Sequence, residues 1–189
     1  DIDIEDDDED IEKAFYDELI SKIYSRVLPC KKLIDYFIDE TEVRCIDYMP
    51  ITKHFNVLMD ALKKWYENNE VNFNACLCHG DPNTDNTMID KDGNVVFIDP
   101  RGYFGKLKTI GLGMAEYDIA KFCYGLNGYS RFNSAPYVRI EEIDYSDNMN
   151  LKVEYPTGDF SSITQIDLDD MPIDTNIKII VGIIWMKLT

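Results

Sequence analysis

The residues best suited to chemistry lie in one short segment, residues 78–102, which reads CHGDPNTDNTMIDKDGNVVFIDPRG. Asp81 lies in a polar loop after a short apolar run, where a carboxylate can take a proton from a hydroxyl group. Asn86 and Asp99 carry hard oxygen atoms of the kind that Mg²⁺ prefers. Phosphoryl transfer needs these parts, because its loose transition state depends on positioning and charge neutralisation. The segment therefore predicts Asp81 as a catalytic base and Asn86 and Asp99 as ligands of a metal and its nucleotide.

Each of these three residues also has a simpler interpretation. An aspartate at the position of Asp81 can cap a loop, since short acidic side chains bond to nearby backbone N–H groups. Asn86 and Asp99 can hydrogen bond within a turn and at the end of a strand. The types and spacing of these residues alone leave both interpretations open.

The apolar and turn residues predict elements that would position these side chains. A strand over residues 75–78 leads into the polar loop 79–86. A hairpin follows, with strands over 87–90 and 95–98 joined by the turn sequence KDGN. Because a hairpin returns the chain to its starting point, we expect the aspartate after its second strand to lie near the loop.

Helices are predicted on both sides of this segment from apolar residues at helical spacing. They cover residues 11–26, 32–39, 51–68, 117–126 and 173–188. Pro29 is predicted to end the first pattern, because proline lacks the N–H group that a helix needs. The expected core positions of the first and third helices are Ile11, Phe15, Leu19, Ile20, Ile23, Phe55, Leu58, Met59, Leu62 and Trp65. A strand pair over 137–143 and 151–155 and a loop over 156–172 complete the pattern.

The same segment resembles a known family. His79-Gly80-Asp81 with Asn86 resembles the HGDxxxxN catalytic loop of the aminoglycoside phosphotransferase and choline kinase superfamily, and Asp99 resembles its metal-binding aspartate. Downstream, the sequence around Asp118, EYDIA, is similar to the helix whose aspartate braces that loop. The resemblance covers roughly residues 50–130 of the chain. The wording IDPRGYFG is most similar to a bacterial sugar or capsule-type branch.

The resemblance implies an α/β (α+β) protein-kinase-like fold, represented by the helical carboxy-terminal lobe with its catalytic-loop hairpin. It implies a small-molecule kinase that uses Mg²⁺ and ATP, or another nucleoside triphosphate, and a hydroxyl acceptor such as a sugar or an amino alcohol. In this interpretation His79 holds the loop backbone and Asp118 braces it. Arg101 could neutralise phosphate charge, or could instead pair with Asp85 or Asp118.

The sequence departs from that family at the amino-terminal side. No Gly-rich loop before a strand and no lysine ahead of a helix glutamate is recognisable, so the nucleotide lobe is not evident. We therefore expect a longer protein with an upstream lobe or domain. This departure also supports one alternative, a non-catalytic kinase-like scaffold domain of a multidomain protein. A second alternative, a pseudokinase that transfers a nucleotidyl group, would use the same metal-binding residues.

The composition limits the classes of partner and the state of the cysteines. The net charge of -17 argues against nucleic acids and anionic membranes as partners, because both are gripped by clusters of Lys and Arg. Five cysteines without a CxxC pair, together with two histidines, favour reduced thiols in a cytoplasmic protein over disulfides or a zinc site. Residues 1–10 are nearly all acidic and are predicted to be a solvated, flexible segment ahead of a kinase-like lobe over 11–189.

Overall fold

A computed structural model of the protein describes most of the chain. The described residues are 6–41, 43–46, 49–50, 53–68, 74–129, 139–145, 148–154 and 173–187. Within them, five helices and three small sheets form a mixed architecture that fits the predicted α+β class.

The helices are α1 (Asp8–Tyr16), α2 (Lys22–Thr41), α3 (Lys53–Asn68), α4 (Ala115–Tyr124) and α5 (Thr175–Met186). A π-helical turn, Asp17–Ser21, joins α1 directly to α2, and a second one, Gly125–Tyr129, follows α4. The strands are β1 (Val43–Ile46), β2 (Met49–Pro50), β3 (Ala75–Leu77), β4 (Thr87–Ile89), β5 (Val95–Phe97), β6 (Leu112–Met114), β7 (Arg139–Tyr145) and β8 (Asn148–Glu154).

The core lies between the helices. It contains Leu19, Ile20 and Ile23 from the amino-terminal helical region, together with buried residues of α3, α4 and α5. The ring of Phe104 makes edge contacts with Phe15 and Tyr117, at centroid distances of 5.5 and 5.1 Å. Helical packing therefore forms the base on which the short strands and loops rest.

The strands form three separate sheets. One has four strands in the order β2-β1-β8-β7, in which β1 and β8 run parallel and the other neighbours antiparallel. The strands β3 and β6 pair antiparallel, and β4 and β5 form the predicted hairpin. The polar segment 78–86 thus runs from one two-stranded sheet to the other.

Most predicted elements are confirmed, including the strand before the polar loop, the hairpin, the β7–β8 pair and the last helix. Two predictions about the helices are wrong. Helix α2 continues through Pro29 to Thr41, so the helix tolerates the hydrogen bond that the proline removes. Leu58 of α3 is 41% exposed, whereas its predicted core partners Met59 and Leu62 are buried.

The acidic start also differs from its prediction in its second half. Asp8–Asp10 form the first turn of α1, and the side chain of Asp7 caps it by accepting the N–H of Asp10 at 2.9 Å. Asp6 is buried and accepts backbone N–H groups of the 108–109 loop. Acidic side chains favour a helix amino terminus, so this run begins a helix. Residues 1–5 and the predicted loop over 156–172 lie outside the described residues.

Two further findings concern membrane-spanning helices and free thiols. No helix in the described part of the chain is long and apolar enough to cross a membrane. Four described cysteines, Cys30, Cys76, Cys78 and Cys123, are free thiols. Burial raises the pKa of the Cys78 thiol, which agrees with an unreactive side chain.

Candidate functional site

The carboxylate of Asp118 holds the start of the predicted catalytic loop. Its two oxygens accept the backbone N–H groups of His79 and Gly80, at 2.6 and 2.8 Å. Asp118 lies in the first turn of α4, so the loop is fixed to a core helix. Burial raises the pKa of the Asp118 carboxyl, and the two N–H donors act against that rise. These are the contacts expected of a brace, and its importance for activity stays a prediction.

The ring of His79 joins the loop to the hairpin. Its Nδ1 lies 3.3 Å from the backbone N–H of Asp81, and its Nε2 lies 2.9 Å from the carbonyl oxygen of Ile98. The tautomer that carries its proton on Nε2 satisfies both contacts, because Nδ1 then accepts and Nε2 donates. His79 therefore contacts the loop that carries Asp81 and the strand end that precedes Asp99.

Asn86 and Asn83 fix the second half of the loop. The Nδ2 of Asn86 donates to the carbonyl oxygen of Asp81 at 2.9 Å, and the backbone N–H of Ile98 donates to the carbonyl of Asn86 at 2.9 Å. The buried Asn83 accepts the N–H groups of Asp85 and Asn86 through its Oδ1. Asn83 is not among the site residues predicted from the sequence, although an asparagine ahead of a short helical turn is a known capping signal.

Asp99 has an unusual backbone conformation. Its φ of 57° makes it the one non-glycine residue with positive φ in the described part of the chain. Such a conformation costs of order 1 kcal/mol for a residue other than glycine and is found preferentially at functional sites. Asp99 is also exposed, directly after the return strand of the hairpin. The chain thus accepts strain at the residue predicted to bind metal.

Two glycines allow close approach within this region. Gly80 has a φ of +81°, and a Cβ there would lie 2.9 Å from the Cβ of Arg101. At Gly125, just after α4, a Cβ would lie 2.8 Å from the backbone nitrogen of Thr84. Both distances are shorter than real Cβ contacts, so the loop packs against its surroundings only because side chains are absent at these positions.

Lys121, which is not among the site residues predicted from the sequence, contacts the predicted base directly. Its Nζ lies 2.9 Å from Oδ1 of Asp81, and the Nδ2 of Asn83 donates to the same oxygen at 3.1 Å. Oδ2 of Asp81 has no hydrogen bond to the residues that the structure describes. Lys121 lies three residues after Asp118 on α4, a spacing that places both side chains on one helix face. That spacing was the available signal.

A second charged group lies beside Asp81 and is centred on Glu18. The carboxylate of Glu18 is only 2% exposed and accepts the ammonium groups of Lys22 and Lys187, at 2.8 and 3.1 Å. The hydroxyl of Tyr117 donates to it at 3.2 Å. Burial alone would raise the pKa of Glu18, but Lys187 and Lys22 outweigh burial and lower that pKa to about 2. Glu18 is therefore ionised at neutral pH.

Arg101 takes part in this second group. Its guanidinium lies 3.7 Å from Glu18 and stacks over the ring of Tyr103 at 4.4 Å. Neither Asp85 nor Asp118, the partners considered from the sequence, forms an ion pair with Arg101 in the described structure. The sequence could not indicate Glu18 as the partner, because that residue lies more than 80 positions upstream.

Asp81, Glu18 and Arg101 line one cleft of about 250 Å³. Its two carboxylates are those of Asp81 and Glu18. Its five cations are Lys22, Arg26, Arg101, Lys121 and Lys187. Asn86 and Asp99, the predicted metal ligands, are not among its lining residues.

The donor set agrees with a magnesium ion held mainly by a triphosphate. No group of three or more His, Cys, Asp and Glu side chains among the described residues is arranged to hold a metal by itself. Magnesium is usually bound through one or two protein ligands together with phosphate oxygens and water. Asn86 uses its amide nitrogen to bind Asp81, and no described residue donates to its Oδ1 or to the carboxylate of Asp99. Both oxygens therefore fit the ligand role.

The braced loop, the returning aspartate and the cation beside the base define a site of the kinase-like phosphotransferase class. A family model, described as the phosphotransferase enzyme family, matches residues 46–148, which is more than half of the chain. The chain belongs to this family, and thereby to the aminoglycoside phosphotransferase and choline kinase superfamily. No match was found among curated proteins or among solved structures.

Proposed function

We propose that this protein is a magnesium-dependent small-molecule kinase that transfers the γ-phosphoryl group of ATP to a hydroxyl group. One observation carries the proposal. A continuous set of hydrogen bonds joins Asp118, the loop of His79 and Asp81, Asn86 and the strand end at Ile98. Family membership supports phosphoryl transfer, and this network supports an ordered loop that fixes Asp81 and Asn86 and holds Ile98, the residue before Asp99.

In this proposal each side chain of the site has a separate role. Asp81 orients the acceptor hydroxyl and takes its proton through the unoccupied Oδ2, while Lys121 and Asn83 hold Oδ1. Asn86 and Asp99 would hold magnesium, which neutralises charge on the triphosphate when bound. Asp118 and His79 keep the loop backbone in place.

The nucleotide also needs a binding surface beyond the two metal ligands. The hairpin leaves apolar side chains exposed, with Ile89 at 73% and Val95 at 60%. Exposed apolar surface of this kind marks a binding site. We propose that an upstream lobe of a longer protein covers the hairpin and closes over the nucleotide. A larger thermal shift with MgATP for the longer protein than for this chain would support this proposal, and equal shifts would contradict it.

The test of the kinase assignment is a screen for MgATP consumption with sugars, choline-like alcohols and aminoglycosides. Asp81→Asn should abolish turnover and leave MgATP binding nearly intact, because a base is not needed to hold the nucleotide. Asp92→Asn, in the exposed turn of the hairpin, is the charge-matched control and should keep full turnover. Full turnover by Asp81→Asn would contradict the assignment of the base.

The alternative functions give different results in the same screen. A non-catalytic scaffold domain would show neither turnover nor a thermal shift with MgATP. A nucleotidyl-transferring pseudokinase would release pyrophosphate and label a protein with the nucleotide, so ATP labelled on the α-phosphate distinguishes it from a kinase.

A further inference from the structure

The cleft beside Asp81 has the opposite charge to the rest of the protein. The chain has a net charge of -17, whereas the cleft has five basic side chains against two carboxylates. In a chain with only 19 Lys and Arg residues, five cations around one cavity are a marked concentration of positive charge. The excess of cations needs a physical account.

Internal ion pairs do not balance this excess. Lys22, Lys187 and Arg101 share the single carboxylate of Glu18. Arg26 has no carboxylate partner among the described residues, and one of its nitrogens donates to the carbonyl of Lys187 at 2.9 Å. Burial lowers the pKa of Lys187 to about 8, with repulsion from neighbouring lysines acting in the same direction. An anion in the cleft would relieve this repulsion.

The position of the cleft indicates which substrate it would take. Asp81, the proposed base, lines the cleft, and the proposed metal ligands do not. The triphosphate belongs with the metal ligands, so a cleft that the base lines and those ligands do not is the place for the acceptor. A volume of about 250 Å³ approaches the usual size of small-ligand sites.

We propose that the acceptor is a hydroxyl compound that carries an anionic group, a phosphate or a carboxylate. Its hydroxyl lies at Asp81, and its anionic group is held by the cations around Glu18, in particular by Arg26, Lys22 and Arg101. Glu18 keeps the cations at fixed positions while leaving an excess of positive charge. This inference rests on the proposed function, and it favours acidic acceptors over the neutral sugars and cationic amino alcohols that the family resemblance suggested.

Binding by calorimetry, which needs no turnover, tests the inference separately from the kinase assignment. The probes are glucose, glucosamine, glucuronate, glucose 6-phosphate and inorganic phosphate, at one ionic strength. We expect glucuronate or glucose 6-phosphate to bind at least tenfold more tightly than glucose and glucosamine, and the tighter of the two identifies the anionic group. Equal or tighter binding of glucose or glucosamine would overturn the inference. Inorganic phosphate that binds as tightly as glucose 6-phosphate would also overturn it, because the cleft would then hold only an ion.

Two variants on helix α2 localise the effect. Arg26 is exposed at the cleft, and Arg26→Gln should weaken the acidic probes by about fivefold to tenfold without changing glucose binding. Lys32→Gln removes the same charge from an exposed position outside the cleft lining, and it should leave the affinity for every probe unchanged. Equal effects of both variants would mean that the preference comes from overall charge and would overturn the assignment of the cleft.

Two more outcomes separate the inference from the proposed function. Competition between MgATP and the acidic probe would place the anion in the triphosphate site and overturn the acceptor assignment. Tight, non-competitive binding of the acidic probe with no phosphoryl transfer to any acceptor would support the anion cleft and contradict the kinase assignment.

Discussion

The two hydrogen bonds from the loop backbone to Asp118 can be tested by the substitution Asp118→Asn. The N–H groups of His79 and Gly80 each bind a different oxygen of Asp118, and in the variant one of these oxygens is replaced by an NH₂ group that cannot accept. The variant loses one charge-assisted hydrogen bond, weakens the second and leaves one N–H group without an acceptor. Bonds to charged groups contribute about 1.5–3 kcal/mol each, so we expect the free energy of unfolding to fall by about 2–3 kcal/mol.

The matched control is Glu116→Gln in the same helix. Glu116 also accepts backbone and side-chain N–H groups, from Asn74, but these bonds are exposed to water. Water replaces such bonds at little cost, and the control should lose less than about 1 kcal/mol. Urea denaturation of both variants gives the two free energies.

The loop also carries the proposed base, so Asp118→Asn should lower kcat at least tenfold with little change in the KM for MgATP. Equal stability losses in the two variants would refute the account of Asp118 as a partly buried brace. A loss of the expected ~2–3 kcal/mol with unchanged kcat would show that Asp118 stabilises the fold but does not set the position of Asp81.

Three other substitutions or conditions test separate parts of the structure. The ionised Glu18 contributes roughly 3 kcal/mol to the free energy of unfolding above pH 4.5, and this contribution should be lost as the pH falls toward about 2. Urea titrations should show this loss in the wild type and not in the double variant Glu18→Gln, Lys187→Met. Asp99→Gly should relieve backbone strain and raise the unfolding free energy by about 1 kcal/mol while turnover is lost, whereas Asp99→Asn should lose turnover without that gain. Gly125→Ala should cost about 1–3 kcal/mol because of the contact with Thr84, whereas Gly182→Ala, which has open space, should be neutral or stabilising in a thermal melt.

The catalytic loop could be predicted from the sequence because its parts are local. Asp81 and Asn86 lie five residues apart, and a hairpin with a clear turn signal returns the chain to Asp99. Asp118 required a helix with a recognisable pattern downstream. Strand β6 was missed because its three residues, Leu112–Met114, follow several glycines and have no alternating pattern.

The cleft could not be predicted, because its residues come from distant parts of the chain. Glu18, Lys22 and Arg26 follow one face at spacings of four residues, a pattern that is equally typical of an exposed helix surface. Lys187 at the end of α5 and Arg101 after the hairpin become their neighbours only through packing. Sequence spacing has no information on such neighbours unless the order of helix packing is known.

The π-helical turn Asp17–Ser21 explains how Glu18 enters this group. Glu18, Leu19 and Ile20 are consecutive and all buried, with exposed fractions of 2%, 0% and 0%. In an α-helix three consecutive side chains spread over about 200°, so they cannot all face one core. The wider turn reduces this spread, and Leu19 and Ile20 can face the helical core while Glu18 faces the cleft under Lys187. π-Turns occur frequently at functional sites. The π-helical turn and the strained Asp99 are thus two places where the backbone departs from regular geometry at a carboxylate of the proposed site.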